Sequence, residues 1–308
     1  MRFQDAFLGT DGRLRSGWRA LIFSALYIVA SLVLTLFAGP VMYALGHRVV
    51  LIFVISSLVG LIPAIGIGWL CGKYLEGLPF RALGAWFTGG WAVHLIAGIL
   101  IGSATIALAV LIASTVGDLD FSFNTPDSDA VAQTLLSSLI VFGVAAAFEE
   151  ALFRGYLLQT FARSGLAWLA ILLTSVFFGI VHLGNPNANL LSSLNTALAG
   201  VWFGVAYLKT RDLWFVWGAH LMWNWVQGSV FGIEVSGLTE VVAAPLLKET
   251  DRGPAWLTGE NYGIEASIAC TIALIVSTVA IHYFPFLKPD QEMLALTSTR
   301  GAATTSES

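Results

Sequence analysis

The chain has 308 residues, of which 57% are hydrophobic and only 11% are charged, and its formal net charge is -4. Soluble domains carry about 25% charged residues, so this composition excludes an ordinary soluble domain and indicates a membrane protein. The few charged residues form no basic stripe, which argues against nucleic acid as a partner.

Long apolar runs predict the membrane spans, because a helix needs about 20 mainly apolar residues to cross a bilayer. Each span must be helical, since an open sheet edge cannot satisfy its backbone polar groups in lipid. The predicted fold class is therefore all-α, a polytopic membrane protein with a bundle of about eight transmembrane helices. These spans cover residues 18–38, 49–71, 91–115, 131–158, 166–183, 190–208, 213–231 and 263–284.

Basic residues in the connecting segments predict the orientation of the bundle. With eight spans, most of them fall on one side, and both termini are then cytoplasmic. Arg48, Lys248 and Arg252 are exceptions on the opposite side. The predicted location is the bacterial inner membrane, with the lipid bilayer as a permanent partner.

Four regions follow from this organisation. Residues 1–130 hold the first three spans, and residues 131–231 hold spans four to seven, a core that carries the polar motifs described below. Residues 232–285 comprise an outer loop and the last span. The loop is either a flap or a solvent-exposed cap. Residues 286–308 are small and polar, which predicts a disordered cytoplasmic tail.

Ionisable and amide side chains inside spans are costly, so each is a functional candidate. They form four groups: Glu149, Glu150 and Arg154 on the fourth span, His182 at the end of the fifth, His220 with Asn224 on the seventh, and Asn195 with its Ser and Thr neighbours on the sixth. Asn195 either lines the cavity or bonds a neighbouring helix.

Helix geometry separates the roles within the first group. Glu150 and Arg154 are four residues apart, so they share a helix face and can form a structural ion pair with two parallel hydrogen bonds. Glu149 is offset by about 100° and is the carboxylate that remains available as a general base.

The remaining polar residues can converge on one cavity. Residues 149 and 182 are equally distant from the turn between two antiparallel spans, so they lie at similar depth, and His220 and Asn224 share a face of a third helix. This set suits hydrolysis: Glu149 and His182 would polarise a water molecule, while His220 and Asn224 would stabilise an oxyanion. The alternative is a catalytic zinc ion held by Glu149, His182 and His220.

The three motifs together resemble a known family. They read Glu149-Glu150-x-x-x-Arg154, Phe178-x-x-x-His182 and His220-x-x-x-Asn224. In this order they are similar to the motif series of the CPBP intramembrane proteases, also called the Abi or type II CAAX prenyl endopeptidase family. The resemblance covers about residues 131–231, and the N-terminal stretch RLRSGWRALIF also looks like bacterial members of this family.

The resemblance implies an intramembrane endopeptidase that cleaves a membrane-associated or lipidated protein or peptide. It makes Glu149 the base that activates water with the help of His182, and it places His220 and Asn224 on the oxyanion side. Both zinc-dependent and metal-independent mechanisms have been assigned to such enzymes. The amide of Asn224 suits an oxyanion better than a zinc shell, so we expect no cofactor, with zinc as the alternative.

Two other functional classes compete with a protease. A non-catalytic membrane scaffold or bacteriocin-immunity-type protein would use the same motifs to maintain a binding fold. A transporter would use the ionisable residues as a proton relay, but the sequence has neither an internal repeat nor paired broken helices.

Overall fold

The computed structural model describes residues 6–9, 12–124 and 127–298. Its helices are α1 (Ser16–Leu45), α2 (Val49–Glu76), α3 (Trp91–Val116), α4 (Ser128–Glu150), α5 (Leu158–Arg163), α6 (Ala167–Val181), α7 (Leu190–Thr210), α8 (Leu213–Trp225), α9 (Ala255–Thr258), α10 (Ile268–Tyr283) and α11 (Gln291–Thr297). A π-helical segment, Ala151–Leu157, joins α4 to α5, and a second one, Val226–Val230, extends α8.

The helices confirm the predicted all-α membrane architecture. Among the described residues, six helical stretches are long and apolar enough to cross a membrane, including a continuous stretch over Ser128–Arg163. They coincide with the first six predicted spans. The seventh and eighth predicted spans correspond to α8 with its π-helical extension and to the shorter α10.

A small sheet lies outside the spans. Strand β1 (Leu119–Phe123) pairs antiparallel with β2 (Leu247–Asp251), so that Leu119 faces Asp251. The sheet therefore ties the connection after α3 to the long connection after α8.

Glycines set the closest helix packing in the bundle. A β-carbon at Gly102 would lie 2.2 Å from the carbonyl oxygen of Ala219, and one at Gly98 would lie 2.1 Å from that of Phe215. The α3 and α8 backbones are therefore in direct contact, as the small-xxx-small spacing predicts. Gly200 of α7 packs in the same way against Ser175 of α6. These contacts fix α8 and α6, which carry the candidate histidines.

The prediction of a disordered tail over 286–308 is wrong for its described part. Asp290 caps α11 by accepting a hydrogen bond from the backbone amide of Glu292 at 2.9 Å. Met293 and Thr297 are buried, and the guanidinium of Arg211 donates to the carbonyl of Thr297 at 3.0 Å. An N-cap and one buried face are enough to order this short helix. Residues 299–308 lie outside the described part.

Candidate active site

A cavity of about 270 Å³ lies between α4, α6, α7 and α8, beneath the connection that follows α8. Glu149, His182, His220 and Asn224 all line it. The structure thus brings together the four residues that the sequence places at one site. Most of the remaining lining is aromatic or aliphatic, as is usual where a few polar groups orient a bound molecule.

Glu149 faces both histidines. Its Oε1 atom is 4.0 Å from Nε2 of His182, and its Oε2 atom is 3.7 Å from Nε2 of His220. These separations exceed a direct hydrogen bond. The Glu149 side chain is 22% exposed, whereas the neighbouring Glu150 side chain is 1% exposed. The two adjacent carboxylates therefore occupy different environments, and Glu149 is the one that faces the cavity.

Glu150 and Arg154 form the predicted structural ion pair. Arg154 Nη1 donates to Glu150 Oε1 at 3.0 Å, and the Arg154 side chain is 0% exposed. The pair has one hydrogen bond rather than the two parallel bonds that were expected. Oε1 of Glu150 also lies 2.8 Å from Nδ1 of His220, whereas Oε2 of Glu150 and Nε of Arg154 are buried without a hydrogen-bond partner among the described residues. Arg154 Nη2 donates instead to the carbonyl of Gly200 at 3.1 Å.

Aromatic rings complete the environment of Arg154. Its guanidinium carbon lies 4.9 Å from the ring centre of Phe178 and 5.0 Å from that of Phe203. Such contacts stabilise a buried cation. Phe203 also stacks on the imidazole of His220 with ring centres 4.6 Å apart. His220 therefore packs against the buried ion pair and these aromatic rings.

The hydrogen bonds of the two imidazoles determine which nitrogen faces the cavity. His182 Nδ1 lies 2.7 Å from the carbonyl oxygen of Phe178, and His220 Nδ1 lies 2.8 Å from Oε1 of Glu150. A carbonyl can only accept, so Nδ1 of His182 carries the proton and Nε2 of the neutral ring is an acceptor. The backbone carbonyl of Phe178, one helical turn before His182, therefore orients the imidazole of His182.

Asn224 lies one helical turn beyond His220 and lines the same cavity. Within the part of the chain that the structure describes, its side-chain amide makes no hydrogen bond. Asn195 behaves differently. Its amide nitrogen donates to the carbonyls of Glu265 at 2.9 Å and Ser267 at 2.7 Å. Asn195 thus anchors the start of α10, whereas the Asn224 amide remains available to a bound molecule.

The sequence reasoning missed Glu265, a third carboxylate that lines the cavity. Its Oε1 accepts from the indole of Trp223 at 3.0 Å, and its Oε2 accepts from the backbone amide and the hydroxyl of Ser236 at 2.5 and 2.8 Å. Three donors satisfy it, so Glu265 fastens the connection after α8 to the site. Val235 and Leu238 of that connection also line the cavity, which identifies the connection as a cap over the site.

No set of three His, Cys, Asp or Glu side chains in the described ranges converges tightly enough to hold a metal ion as it stands. The chemistry of the donors nevertheless suits zinc. One carboxylate and two imidazole nitrogens form a common catalytic set. The Phe178 carbonyl and Glu150 support the far side of each ring, as is typical around a bound metal.

Comparison with known proteins finds a family model that matches the region of the motifs. Residues 131–226 match the family model described as type II CAAX prenyl endopeptidase Rce1-like. The matched region begins in α4 and ends just after α8, so it contains every motif residue. It confirms the resemblance predicted from those motifs. A comparison with curated proteins found no match.

Proposed function

We propose that this integral membrane protein is a peptidase of the type II CAAX prenyl endopeptidase kind. It would hydrolyse a peptide bond in the cavity between α4, α6 and α8. One observation carries the proposal. Glu149 lies 4.0 Å and 3.7 Å from the Nε2 atoms of two histidines that approach from separate helices. A carboxylate between two oriented imidazoles suits the activation of water.

In the proposed reaction, the substrate water binds between Glu149 and His182. It donates one hydrogen bond to the Glu149 carboxylate and one to the Nε2 lone pair of His182. As the water oxygen attacks the carbonyl carbon of the scissile bond, its proton moves to Glu149. When the tetrahedral intermediate collapses, the C–N bond breaks and Glu149 passes this proton to the departing amine. The carboxylate is then regenerated for the next turnover.

His220 and Asn224 would stabilise the oxyanion. His220 lies between two carboxylates, with Nδ1 2.8 Å from Glu150 and Nε2 3.7 Å from Glu149. An imidazolium at His220 would balance the charges of the cluster, since Arg154 offsets only one of the two carboxylates. Its Nε2 proton and the Asn224 amide would then both donate to the oxyanion, and each such donor contributes about 3 kcal/mol to transition-state stabilisation.

Zinc remains the second mechanism to test. If present, it would be held by Glu149, His182 and His220 and would supply a bound water of lowered pKa. In either case, Phe178 and Glu150 orient the imidazoles through their Nδ1 atoms. This orientation needs no metal, because the hydrogen bonds come from groups within the chain.

The proposed substrate is a membrane-associated or lipidated protein or peptide. Phe53, Phe142 and Phe148 line the cavity beside Glu149, so its walls suit an apolar chain near the scissile bond. The family description names prenyl endopeptidases, which supports a lipidated substrate. The proposed location is the bacterial inner membrane with cytoplasmic termini, and the loop charges support this orientation.

The test is hydrolysis of a fluorogenic, farnesylated peptide with a C-terminal CAAX sequence by the purified protein in lipid nanodiscs. Glu149→Gln should lower kcat by at least about a thousandfold, because an amide cannot take a proton from water. Glu240→Gln is the matched control, since Glu240 is an exposed carboxylate of the cap. Equal rates for wild type and Glu149→Gln would contradict the proposal.

The same assay separates the two mechanisms. Activity that survives 1,10-phenanthroline would establish the metal-independent reaction. Activity that is lost in the chelator and restored by added zinc would establish the zinc reaction.

A further inference from the structure

A second cleft, of about 1210 Å³, lies between α1 and α6. It is larger than most small-molecule pockets, which enclose about 300–1,000 Å³. Tyr27 and Ile28 line it from α1, and Leu173, Phe177 and Val181 line it from α6. Phe178 and His182, their neighbours in sequence, line the catalytic cavity. The cleft is therefore on a different face of α6 from the proposed active site, and its chemistry is independent of the proposed reaction.

One end of this cleft is cationic. Four arginines, Arg13, Arg15, Arg19 and Arg163, line the cleft together with a single carboxylate, Glu76. Arg19 Nη1 donates to Glu76 at 2.5 Å, and Arg163 donates to Glu76 through Nη2 at 2.8 Å and Nε at 3.0 Å. Glu76 is thus shared by two guanidiniums, and one positive charge remains uncompensated even before Arg15 is counted.

Arg19 also has an unused donor. Arg19 is 8% exposed, and its Nε atom is buried without a hydrogen-bond partner among the described residues. Its Nη2 atom donates to the hydroxyl of Ser164 at 2.8 Å. A buried donor left without a partner is costly. An anionic oxygen in the cleft would satisfy this donor and the excess charge together.

We propose that this cleft binds an anionic phospholipid of the surrounding bilayer. The phosphate would lie at Arg15 and Arg19, and one acyl chain would run between α1 and α6. From Arg19 to Ile28 the helix rises about 14 Å, at about 1.5 Å per residue. This length matches the thickness of one leaflet, which is half of a hydrocarbon core about 30 Å thick. The excess cationic charge selects an anionic headgroup over a zwitterionic one.

Native mass spectrometry of the purified full-length protein tests the proposal. Equal amounts of dioleoyl phosphatidylglycerol and dioleoyl phosphatidylcholine are added in detergent, and the ratio of the two bound lipids is measured. We expect phosphatidylglycerol to be retained at least about tenfold in excess, because a juxtamembrane arginine favours an anionic lipid by about fivefold. Arg15→Gln and Arg19→Gln should each reduce this ratio about fivefold.

The controls distinguish lipid binding in the cleft from a general electrostatic attraction of anionic lipids to the protein. Arg48 is exposed and outside the cleft, so Arg48→Gln makes the same charge change and should leave the ratio unaltered. Ser24 lines the cleft, so Ser24→Trp places an indole between its walls without changing the charge, and it should reduce retention of both lipids. If Arg19→Gln does not fold, Arg15→Gln and Ser24→Trp decide the question. Equal retention of both lipids by wild type, or an equal change in ratio with Arg48→Gln, would overturn the proposal.

Discussion

Replacement of Glu150 by Gln tests the ion pair beneath the catalytic cavity. The Glu150 and Arg154 side chains are 1% and 0% exposed, and their atoms are 3.0 Å apart. Gln has nearly the same shape, so the substitution removes the charge and leaves the guanidinium buried without its anion. Loss of one partner of a buried pair costs about 3–5 kcal/mol. The Gly200 carbonyl and the rings of Phe178 and Phe203 would still contact Arg154, so we expect the lower end of this range.

Denaturant unfolding in mild detergent, followed by tryptophan fluorescence, measures this loss. Glu292→Gln is the matched control, because Glu292 pairs with Arg81 where both side chains are more than 40% exposed, and an exposed pair contributes at most about 1 kcal/mol. Arg154→Met in the Glu150→Gln background should recover part of the loss, since it removes the stranded cation. If Glu150→Gln costs no more than Glu292→Gln, the assignment of a buried structural pair is wrong.

Three further predictions concern the oxyanion side, the cap and the helix packing. Asn224→Ala should lower kcat about 100-fold with little change in the free energy of unfolding, because the amide donates only to the transition state; a large loss of stability would instead indicate a packing role. Burial and the neighbouring Glu234 carboxylate raise the pKa of Glu249 from 4.5 to about 8. The folded state therefore holds a proton that the unfolded chain releases, and stability falls as pH rises between these values. Glu249→Gln should accordingly raise Tm at pH 8 and leave it unchanged near pH 4.5; an equal shift at both pH values would refute this. Gly102→Ala should cost about 1–3 kcal/mol and also lower activity, because the β-carbon pushes α3 away from α8, whereas Gly66→Ala, with open space at its β-carbon, should be tolerated in the same unfolding and activity assays.

The positions of the spans could be predicted because length and hydropathy determine them. The predicted start of α2 at residue 49 and that of α3 at residue 91 coincide with the observed starts. The ends of α4 were harder to define. The helix continues through a π-helical segment that begins directly after Glu150, and nothing in an apolar run distinguishes i→i+5 from i→i+4 hydrogen bonding. Such segments are frequent at functional sites.

The meeting of Glu149 and His182 could be predicted from equal depth in a hairpin, whereas His220 lies only about nine residues past its loop, so its predicted depth did not match theirs. The bond between Glu150 and His220 could not be predicted, because it depends on how closely α8 packs against α4. The contacts at Gly98 fix α8 against α3, but residue spacing does not show how closely α8 then approaches α4.

The role of Glu265 is a second feature that could not be predicted from the sequence. Its role in fastening the cap depends on contacts with Trp223 and Ser236, which lie 42 and 29 residues away. The order of α11 is a similar case, because a short polar segment reveals its buried face only after the rest of the bundle is in place.

The central claim is that Glu149 activates water for peptide hydrolysis in a membrane. The most direct test compares new protein N-termini in membranes of cells that express wild type or Glu149→Gln at equal levels. The account predicts a set of termini that appear only with wild type, and these would also name the substrates. If the two sets of termini are identical and Glu149→Gln preserves the wild-type phenotype, the protein is a scaffold and the claim is contradicted.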